Sequence, residues 1–410
     1  MLYPLRRTAL AALLSLFGGL AQAQPQPALD PAQGVTVLSP FYVPPAELPA
    51  EPGRLIRRED LPPALALASA ENSSRILYSS TNGVGGRQRI AVSGALYLPK
   101  GTPPAGGWPI LAWAHGTVGV ADACAPSWAG RSARDAAYLN RWLDEGFAIV
   151  ASDYQGLGVA GLHPYLFTRP EAYSVLDSIR AAISGVPGLN ADKIVVVGQS
   201  QGGGAAYATA AFWPDYAPDL RLRGVVATGV PYLSLDLAAS AAQQDLDRVD
   251  PTIAYAFYIA VAAQEFLSPP PASSSLFTEA ALPLFATSPT TCVGPLFRAV
   301  ENARLTRRTA LKPDFIQVLA KLGPQLSYPT LKVAVPVFIG TGAEDRDVSA
   351  VNQLALVRDS CAAGTPVQAH LYAGLDHGGA VNGSLKDSLP FIRKVLAGER
   401  VEPRCNPVPE

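Results

Sequence analysis

Charged side chains are scarce in this chain. They make up 16% of the 410 residues, and the net charge at pH 7 is -1. A protein that binds nucleic acid or an anionic membrane surface normally carries clustered Lys and Arg. The composition therefore favours neither kind of partner. Hydrophobic residues make up 49% of the chain, which is enough to bury the core of a large α/β domain with an insertion.

Cysteine is also rare in the sequence. The four cysteines are Cys124, Cys292, Cys361 and Cys405. They form no close Cys-x-x-Cys pair, so the sequence gives no support for a zinc site. An even number of cysteines in an exported protein indicates two disulfides, and the sequence alone allows three pairings.

Long apolar runs are missing from the chain beyond its N-terminus. Arg6 and Arg7 precede an apolar run from Thr8 to Leu20, which is followed by the cleavage pattern Ala21-Gln22-Ala23. The run is too short to span a bilayer comfortably, and these features together are typical of a secretory signal peptide. We therefore predict that residues 1–23 are removed after Ala23 and that the mature protein is secreted or periplasmic. This prediction includes no stable membrane anchor and leaves contact with a lipid interface open.

Strands alternate with helices along most of the remaining chain, which predicts a mostly parallel sheet with helices on both faces. The pattern breaks between residues 232 and 328, where apolar helical segments occur without a convincing strand. We predict that this stretch is a helical cap inserted into an α/β core, which consists of residues 62–231 and residues 329–410 with a C-terminal tail. The cap helices either line a dry pocket or only pack on one another. Residues 24–61 are rich in proline and predict an N-terminal arm anchored by two aromatic residues.

A Gly-x-Ser-x-Gly motif, Gly198-Gln199-Ser200-Gln201-Gly202, follows a run of valines and precedes an alanine-rich helix. This motif between a strand and a helix is typical of a nucleophile elbow, whose sharp turn holds the serine in a strained conformation above the sheet. Glycine is needed on both sides, because a Cβ there would collide with the neighbouring strand or helix. We predict that Ser200 is a nucleophile. The alternative is a glycine-rich turn whose serine only caps the helix.

A serine nucleophile needs a base to take its proton and a carboxylate to orient that base. Of the four histidines, His377 lies in a glycine-rich loop after the last predicted strand, and it is free to reach the elbow. Asp345 and Asp347 share one turn after another predicted strand. A Gly-x-x-Asp-x-x-Val layout around Asp345 favours it as the acid over Asp347. The sequence thus predicts a triad of Ser200, Asp345 and His377, in the chain order nucleophile, acid, base.

An oxyanion hole needs two donors beside the nucleophile. The backbone N–H of Gln201, directly after Ser200, is the first candidate. The second is expected from the loop after the first central strand, which reads His115-Gly116-Thr117. We predict Thr117 as this donor, with its hydroxyl available in addition to its N–H. The alternative is a His-Gly strand end with no role in the chemistry.

These residues resemble those of the secretory lipase family of α/β-hydrolases, the group of fungal lipase A and its bacterial relatives. The resemblance covers about residues 40–405, and its features are Phe41-Tyr42-Val43-Pro44-Pro45, Cys124-Ala125-Pro126-Ser127, the elbow, and the acid and histidine turns. Gln201 and the His115-Gly116-Thr117 loop look like the bacterial branch. The resemblance implies an α/β-hydrolase fold, a helical cap over an acyl tunnel, and lipase or esterase activity without a cofactor or metal. It also implies the disulfides Cys124–Cys292 and Cys361–Cys405.

The sequence therefore favours an exported serine hydrolase that cleaves small-molecule or lipid carboxylic esters through an acyl-enzyme. An acyltransferase or a peptidase on the same scaffold is the alternative, because both share the acyl-enzyme. A non-catalytic binding module is the third hypothesis, and it predicts a damaged triad.

Overall fold

The computed structural model of the chain describes residues 28–30, 35–233 and 245–410. The predicted signal peptide, residues 1–23, lies outside the described residues. The strands of the described part are β1 (Ala28–Asp30), β2 (Val35–Val37), β3 (Leu55–Asp60), β4 (Ala70–Thr81), β5 (Arg89–Pro99), β6 (Trp108–Ala114), β7 (Ala148–Ser152), β8 (Leu189–Gln199), β9 (Leu222–Thr228), β10 (Val337–Gly342) and β11 (Val367–Tyr372).

The helices of the described part surround the sheet and form the cap. They are α1 (Pro126–Ala129), α2 (Ala133–Asp144), α3 (Thr168–Gly185), α4 (Gln201–Tyr216), α5 (Ile253–Phe266), α6 (Ser273–Leu276), α7 (Leu282–Thr287), α8 (Val293–Asn302), α9 (Arg307–Ala310), α10 (Asp314–Leu326), α11 (Ala350–Ala362), α12 (Gly379–Gly383) and α13 (Leu385–Leu396). Short 3₁₀ turns occupy Pro40–Tyr42, Pro63–Leu65, Asp122–Cys124 and Ser288–Thr290.

Within the described ranges, nine strands form one sheet in the order β11-β10-β9-β8-β6-β7-β5-β4-β3. Neighbours from β11 to β7 run parallel, and those from β7 to β3 run antiparallel. The predicted mostly parallel sheet with helices on both faces is confirmed. Because parallel strands end at the same edge, the loops after β6, β8, β9, β10 and β11 meet there, which is where such sheets place their sites.

Both faces of the sheet are buried. On β8, Ile194 and Val196 face one apolar core, which includes side chains of α3, α4 and α11. Val195 and Val197 face the other core, which includes side chains of α2 and α13. The alternation follows from the two-residue period of a strand. A strand buried on both faces needs apolar residues at every position, which is why the valine run leads directly into the elbow.

The insertion between β9 and β10 is helical, and its described residues, 245–328, contribute no strand to the sheet. Helices α5 to α10 lie here. Their apolar side chains form a separate core around Phe257, Phe277 and Phe285. The disulfide Cys124–Cys292 joins the start of α8 to the loop after β6. The cap is therefore tied covalently to the sheet domain close to the predicted oxyanion loop.

The predicted N-terminal arm is partly a component of the sheet. Phe41 and Tyr42 are buried and pack with Leu77 of β4. Residues 55–60, however, form the edge strand β3, which pairs antiparallel with β4. The prediction of a proline-rich arm placed these residues outside the core. Their charged sequence, Arg57 to Asp60, fits an edge strand because one side of such a strand faces solvent.

The C-terminal tail lies along β11. Residues Arg404 and Glu410 form backbone hydrogen bonds with β11 or with the residue directly after it, and the disulfide Cys361–Cys405 fixes the tail to α11. Both disulfide pairings implied by the family resemblance are present in the structure. Across the described ranges, no helix combines the length and the apolar character that crossing a membrane requires.

Candidate active site

The elbow is a tight turn between β8 and α4. Ser200 has φ 59° and ψ −126°, a conformation that is strained for a residue with a side chain. A Cβ on Gly198 would lie 1.9 Å from the carbonyl oxygen of Gly202, and a Cβ on Gly202 would lie 1.9 Å from that of Ala114. Only glycine fits at either position. The turn thus places Ser200 at the carboxyl edge of the sheet, directly before the first residue of α4.

His377 and Asp345 meet beside this turn. The Nδ1 atom of His377 lies 2.7 Å from Oδ2 of Asp345, and both side chains are buried. The carboxylate of Asp345 also accepts hydrogen bonds from the backbone N–H groups of Asp347 and Val348 and from the amide of Gln353. Asp345 is therefore held from several directions with one oxygen directed at the imidazole.

Asp347 lies in the same turn but has a different partner. Its Oδ2 atom accepts a hydrogen bond of 2.9 Å from the hydroxyl of Tyr255 on α5. Glu344 is exposed, and the carboxylate of Asp376 accepts from the backbone N–H of Gly379. Of the acids in the turn after β10 and beside His377 in the sequence, Asp345 is the one that contacts the imidazole.

The second ring nitrogen of His377 contacts a residue of the elbow. Since Nδ1–H donates to Asp345, Nε2 is the acceptor, and the side-chain amide of Gln199 donates to it at 2.9 Å. Arg134 donates to the amide oxygen of Gln199 at 3.0 Å and so fixes its orientation. Within the described residues, no hydrogen bond joins Ser200 Oγ to His377. The structure thus brings base and acid together and places the serine one residue from the amide that His377 contacts.

The two predicted oxyanion residues flank the elbow. The hydroxyl of Thr117 forms a 2.7 Å hydrogen bond with the hydroxyl of Tyr165, so it already has a partner. Gln201 is the first residue of α4, where backbone N–H groups have no partner within the helix. Its side-chain amide donates to Glu171 Oε1 and to His163 Nε2, both at 2.8 Å.

The other three histidines are engaged elsewhere. Burial lowers the pKa of His115 to about 4 and that of His163 to about 3, so both are neutral near pH 7. His370, on β11, contacts Glu410 of the tail at 2.5 Å. A group of His370, Asp387 and Glu410 has potential metal-ligand atoms close together. Arg404 lies 3.2 Å from Glu410 and 3.3 Å from His370, so a cation already occupies this position.

A pocket of about 600 Å³ opens next to the elbow between the sheet domain and the cap. Ser200, Gln201, Thr117, Asp345 and Glu171 all line it. Its apolar wall comes from the cap and from the loop before α3, with side chains that include Leu166, Ile259, Leu311, Phe315, Leu319 and Leu326. Its polar wall carries an ion pair in which Arg307 lies 2.6 Å from Asp250. The cap helices therefore line a pocket in addition to packing on one another.

Several contacts of this site have no signal in the local sequence. Gln353 and Arg134 are each at least eight residues from the group that they support. Gly229 follows β9, and a Cβ there would lie 2.6 Å from Cε1 of His377. Its φ of +59° is also one that favours glycine. In the sequence, the glycine at the end of β9 is the only sign that another group approaches the backbone there.

The fold and the site define the class of the protein. The protein has the fold of an α/β-hydrolase. Its sheet is mostly parallel, a strand–serine–helix elbow is followed by an acid and a histidine on later loops, and a helical cap is inserted. A sequence model of the secretory lipase family matches residues 131–377, more than half of the chain. The chain belongs to this family of ester hydrolases, as the resemblance implied. The two disulfides are compatible with the secretory character of the family.

Similar solved structures agree with this fold. Lipase A of Candida antarctica in its closed state superposes with a TM-score of 0.71 at 19% identity, with 91% of this chain and 89% of that chain covered. A rice cell wall degrading esterase from Xanthomonas oryzae superposes with a TM-score of 0.64 at 20% identity, with 85% of this chain and all of that chain covered. No curated protein matches the chain by sequence.

Proposed function

We propose that the protein is an exported esterase or lipase that cleaves carboxylic esters with Ser200 as nucleophile, His377 as base and Asp345 as the acid that orients it. The observation that supports this best is the 2.7 Å contact between His377 and Asp345. Asp345 lines the same pocket as the strained Ser200. A carboxylate on Nδ1 holds the imidazole in the tautomer whose Nε2 atom accepts a proton.

The proposed reaction begins when Ser200 Oγ attacks the ester carbonyl carbon and its proton passes to Nε2 of His377. In the resting site the amide of Gln199 donates a hydrogen bond to this nitrogen. The serine hydroxyl therefore takes the place of the amide as the donor before the proton moves. The tetrahedral oxyanion accepts hydrogen bonds from the backbone N–H groups of Gln201 and Thr117. The imidazolium then protonates the leaving alcohol, and the acyl-enzyme remains.

Water completes the cycle. His377 takes a proton from the water as it attacks the acyl carbonyl, and the same proton returns to Ser200 Oγ when the acid departs. Over the full cycle, one ester and one water give one acid and one alcohol, with no redox step.

The pocket favours an ester with an apolar acyl group. Its volume of about 600 Å³ lies within the range of about 300–1,000 Å³ that is usual for small-molecule sites. Its apolar wall includes side chains of both α5 and α10. The proposal is tested with a series of p-nitrophenyl esters from acetate to palmitate and with matching peptide p-nitroanilides. We expect the purified protein to hydrolyse the esters with an initial burst of p-nitrophenol. Cleavage of the anilides alone would point to a peptidase instead.

Gly229 offers a test of the position of His377. Gly229→Ala places a methyl group 2.6 Å from Cε1 of the imidazole, and we expect the ring to be displaced. A misplacement of about 1 Å reduces turnover by about 100-fold, so kcat for p-nitrophenyl butyrate falls by this order while KM changes little. Steady-state kinetics on the folded variant provide the measurement.

Gly398→Ala is the matched control for this substitution. Gly398 has φ 74°, and a Cβ there would meet no heavy atom within 4 Å. Both variants therefore share a backbone strain of about 1–2 kcal/mol, and only Gly229→Ala adds the collision with His377. Equal activity of the two variants would contradict the proposed position of the base.

A further inference from the structure

Two buried side chains beside the elbow have no part in the proposed chemical steps. Glu171 lies in the first turn of α3, is 2% exposed and lines the pocket next to Ser200. His163 lies in the loop 162–167 before that helix and is fully buried. Both contact the side chain of Gln201, whose backbone N–H is the proposed oxyanion donor.

The hydrogen bonds of this group have one consistent assignment. His163 Nδ1 lies 2.8 Å from the carbonyl oxygen of Gln155, so Nδ1 carries the hydrogen and donates it. Nε2 of His163 is then an acceptor for one N–H of the Gln201 amide, and Glu171 Oε1 accepts the other. Gln201 is therefore held from two sides by groups that belong to a single segment, the loop 162–167 and the start of α3.

The same segment also contacts the other side of the oxyanion hole. Tyr165, in the middle of the loop, bonds to the hydroxyl of Thr117. Leu166 has φ 64°, a conformation that is strained for a residue with a side chain. The backbone of Leu166 lies near the carboxyl group of Glu171, whose pKa it lowers against the effect of burial. Glu171 thus joins the loop that contacts Thr117 to the residue that carries the other donor.

We propose that Glu171 is a positioning residue of the oxyanion hole: together with His163 it fixes Gln201 against the loop that contacts Thr117, so that the two N–H donors keep a constant separation. This inference rests on the proposed ester hydrolysis by Ser200. Preorganised donors stabilise the charge that develops in the transition state, and they contribute little to the binding of the neutral ester. The loss of Glu171 should therefore reduce kcat more than it changes KM.

The protonation state of Glu171 gives the proposal a second consequence. Burial raises the pKa of this carboxyl group to about 8, so it is neutral at pH 7. The titratable groups that face it are His163 and the phenols of Tyr154, Tyr165 and Tyr328. The pKa of His163 is lowered and those of the phenols are raised, all by burial, so these groups stay neutral from pH 6 to 9. Above about pH 8 a new negative charge in the pocket wall opposes the oxyanion.

The first experiment compares Glu171→Ala with Glu171→Gln. Alanine removes the acceptor of the Gln201 amide, and we expect kcat for a soluble butyrate ester to fall by about 100-fold with KM within about threefold. Glutamine keeps a neutral side chain of the same length with an acceptor oxygen, so it should recover most of this loss. Unchanged kcat in the alanine variant would overturn the proposal.

The second experiment uses Glu171→Gln alone, so it remains decisive if the alanine variant fails to fold. A pH-stat measures kcat between pH 6 and 9. We expect wild-type kcat to fall with a midpoint near pH 8, and we expect the fall to be absent in the glutamine variant. Asp177→Asn is the matched control, because Asp177 is another buried acid of α3 whose pKa burial raises. A fall that persists in Glu171→Gln would overturn the proposal.

The outcomes separate this inference from the proposed function. Ser200→Ala, assayed in parallel, establishes whether the hydrolysis depends on the elbow. If the wild-type activity disappears in Ser200→Ala but neither Glu171 variant behaves as expected, the ester hydrolase stands and the positioning role falls. If activity persists in Ser200→Ala, the proposed function itself is wrong.

Discussion

Ser200→Ala is expected to reduce kcat/KM for p-nitrophenyl ester hydrolysis by about 10⁴-fold or more. The hydroxyl oxygen forms the covalent bond to the acyl group in the proposed mechanism, and alanine lacks this atom. Removal of a triad member leaves only the contribution of the oxyanion hole and of substrate binding. The fold should survive, because alanine has the same Cβ and the same conformational limits as serine at φ 59°.

The measurement is steady-state hydrolysis of p-nitrophenyl butyrate, with far-ultraviolet circular dichroism to verify folding. Ser360→Ala serves as the matched control. Ser360 is another fully buried serine, located on α11, and its hydroxyl bonds to Tyr207 rather than facing the pocket. We expect the control to keep its activity within about threefold of wild type. A folded Ser200→Ala protein with more than a few per cent of wild-type activity would remove Ser200 from the mechanism.

Asp345→Asn is expected to have the second-largest effect, a fall in kcat of about 10⁴-fold. An amide at this position can present an N–H to the imidazole, which then takes the wrong tautomer and loses the acceptor on Nε2. The substitution also places an amide among the N–H donors of Asp347, Val348 and Gln353. One of these donors is then left without an acceptor, at a cost of about 1–3 kcal/mol in the free energy of unfolding.

Asp347→Asn is the natural partner of this experiment, because the two acids lie in one turn. Asp347 bonds to Tyr255 of the cap and not to His377. We therefore expect the kcat of the Asp347→Asn variant to stay within about fivefold of wild type. Both variants are compared on the same ester at pH 7. The reverse ranking, with Asp347→Asn inactive and Asp345→Asn active, would assign the acid to Asp347 and contradict the geometry.

Much of the fold could be predicted because its signals are local. The valine run before Gly198 indicates a strand that is buried on both faces. The alanine-rich segment after Gln201 indicates a helix that packs closely on the sheet. The cap was visible as apolar segments without strand character. The strand β3 was not visible, since its charged residues carry no alternation and only pairing with β4 makes them a strand.

The residues proposed for the triad could be selected from the sequence, whereas the side chains that contact them could not. Ser200, Asp345 and His377 could be selected because each follows a strand in a fixed order. Gln199 stands at a variable position of the motif, yet its amide contacts His377. The hydroxyl of Thr117, predicted as an additional donor, is bonded to Tyr165. Contacts of this kind join residues that are tens of positions apart, so they depend on the folded arrangement of loops that have no periodic pattern.

Glu171 illustrates the same limit for ionisable groups. In the sequence it is one acid near a helix start, where a carboxylate is usually solvated and interacts with the helix dipole. In the structure Glu171 is only 2% exposed, and burial raises the pKa of its carboxyl group to about 8. Burial of this kind is set by the packing of α3, α4 and the loop 162–167, and no spacing rule along the chain encodes it.

Covalent labelling tests the central claim most directly. The purified protein is treated with a fluorophosphonate ester, digested, and analysed by peptide mass spectrometry while residual activity is followed. The convergence of nucleophile, imidazole and carboxylate predicts one phosphonyl group per chain on Ser200, formed in step with the loss of activity and absent from Ser200→Ala. Complete inactivation with the Ser200 peptide unmodified, or labelling of a different residue, would contradict the account.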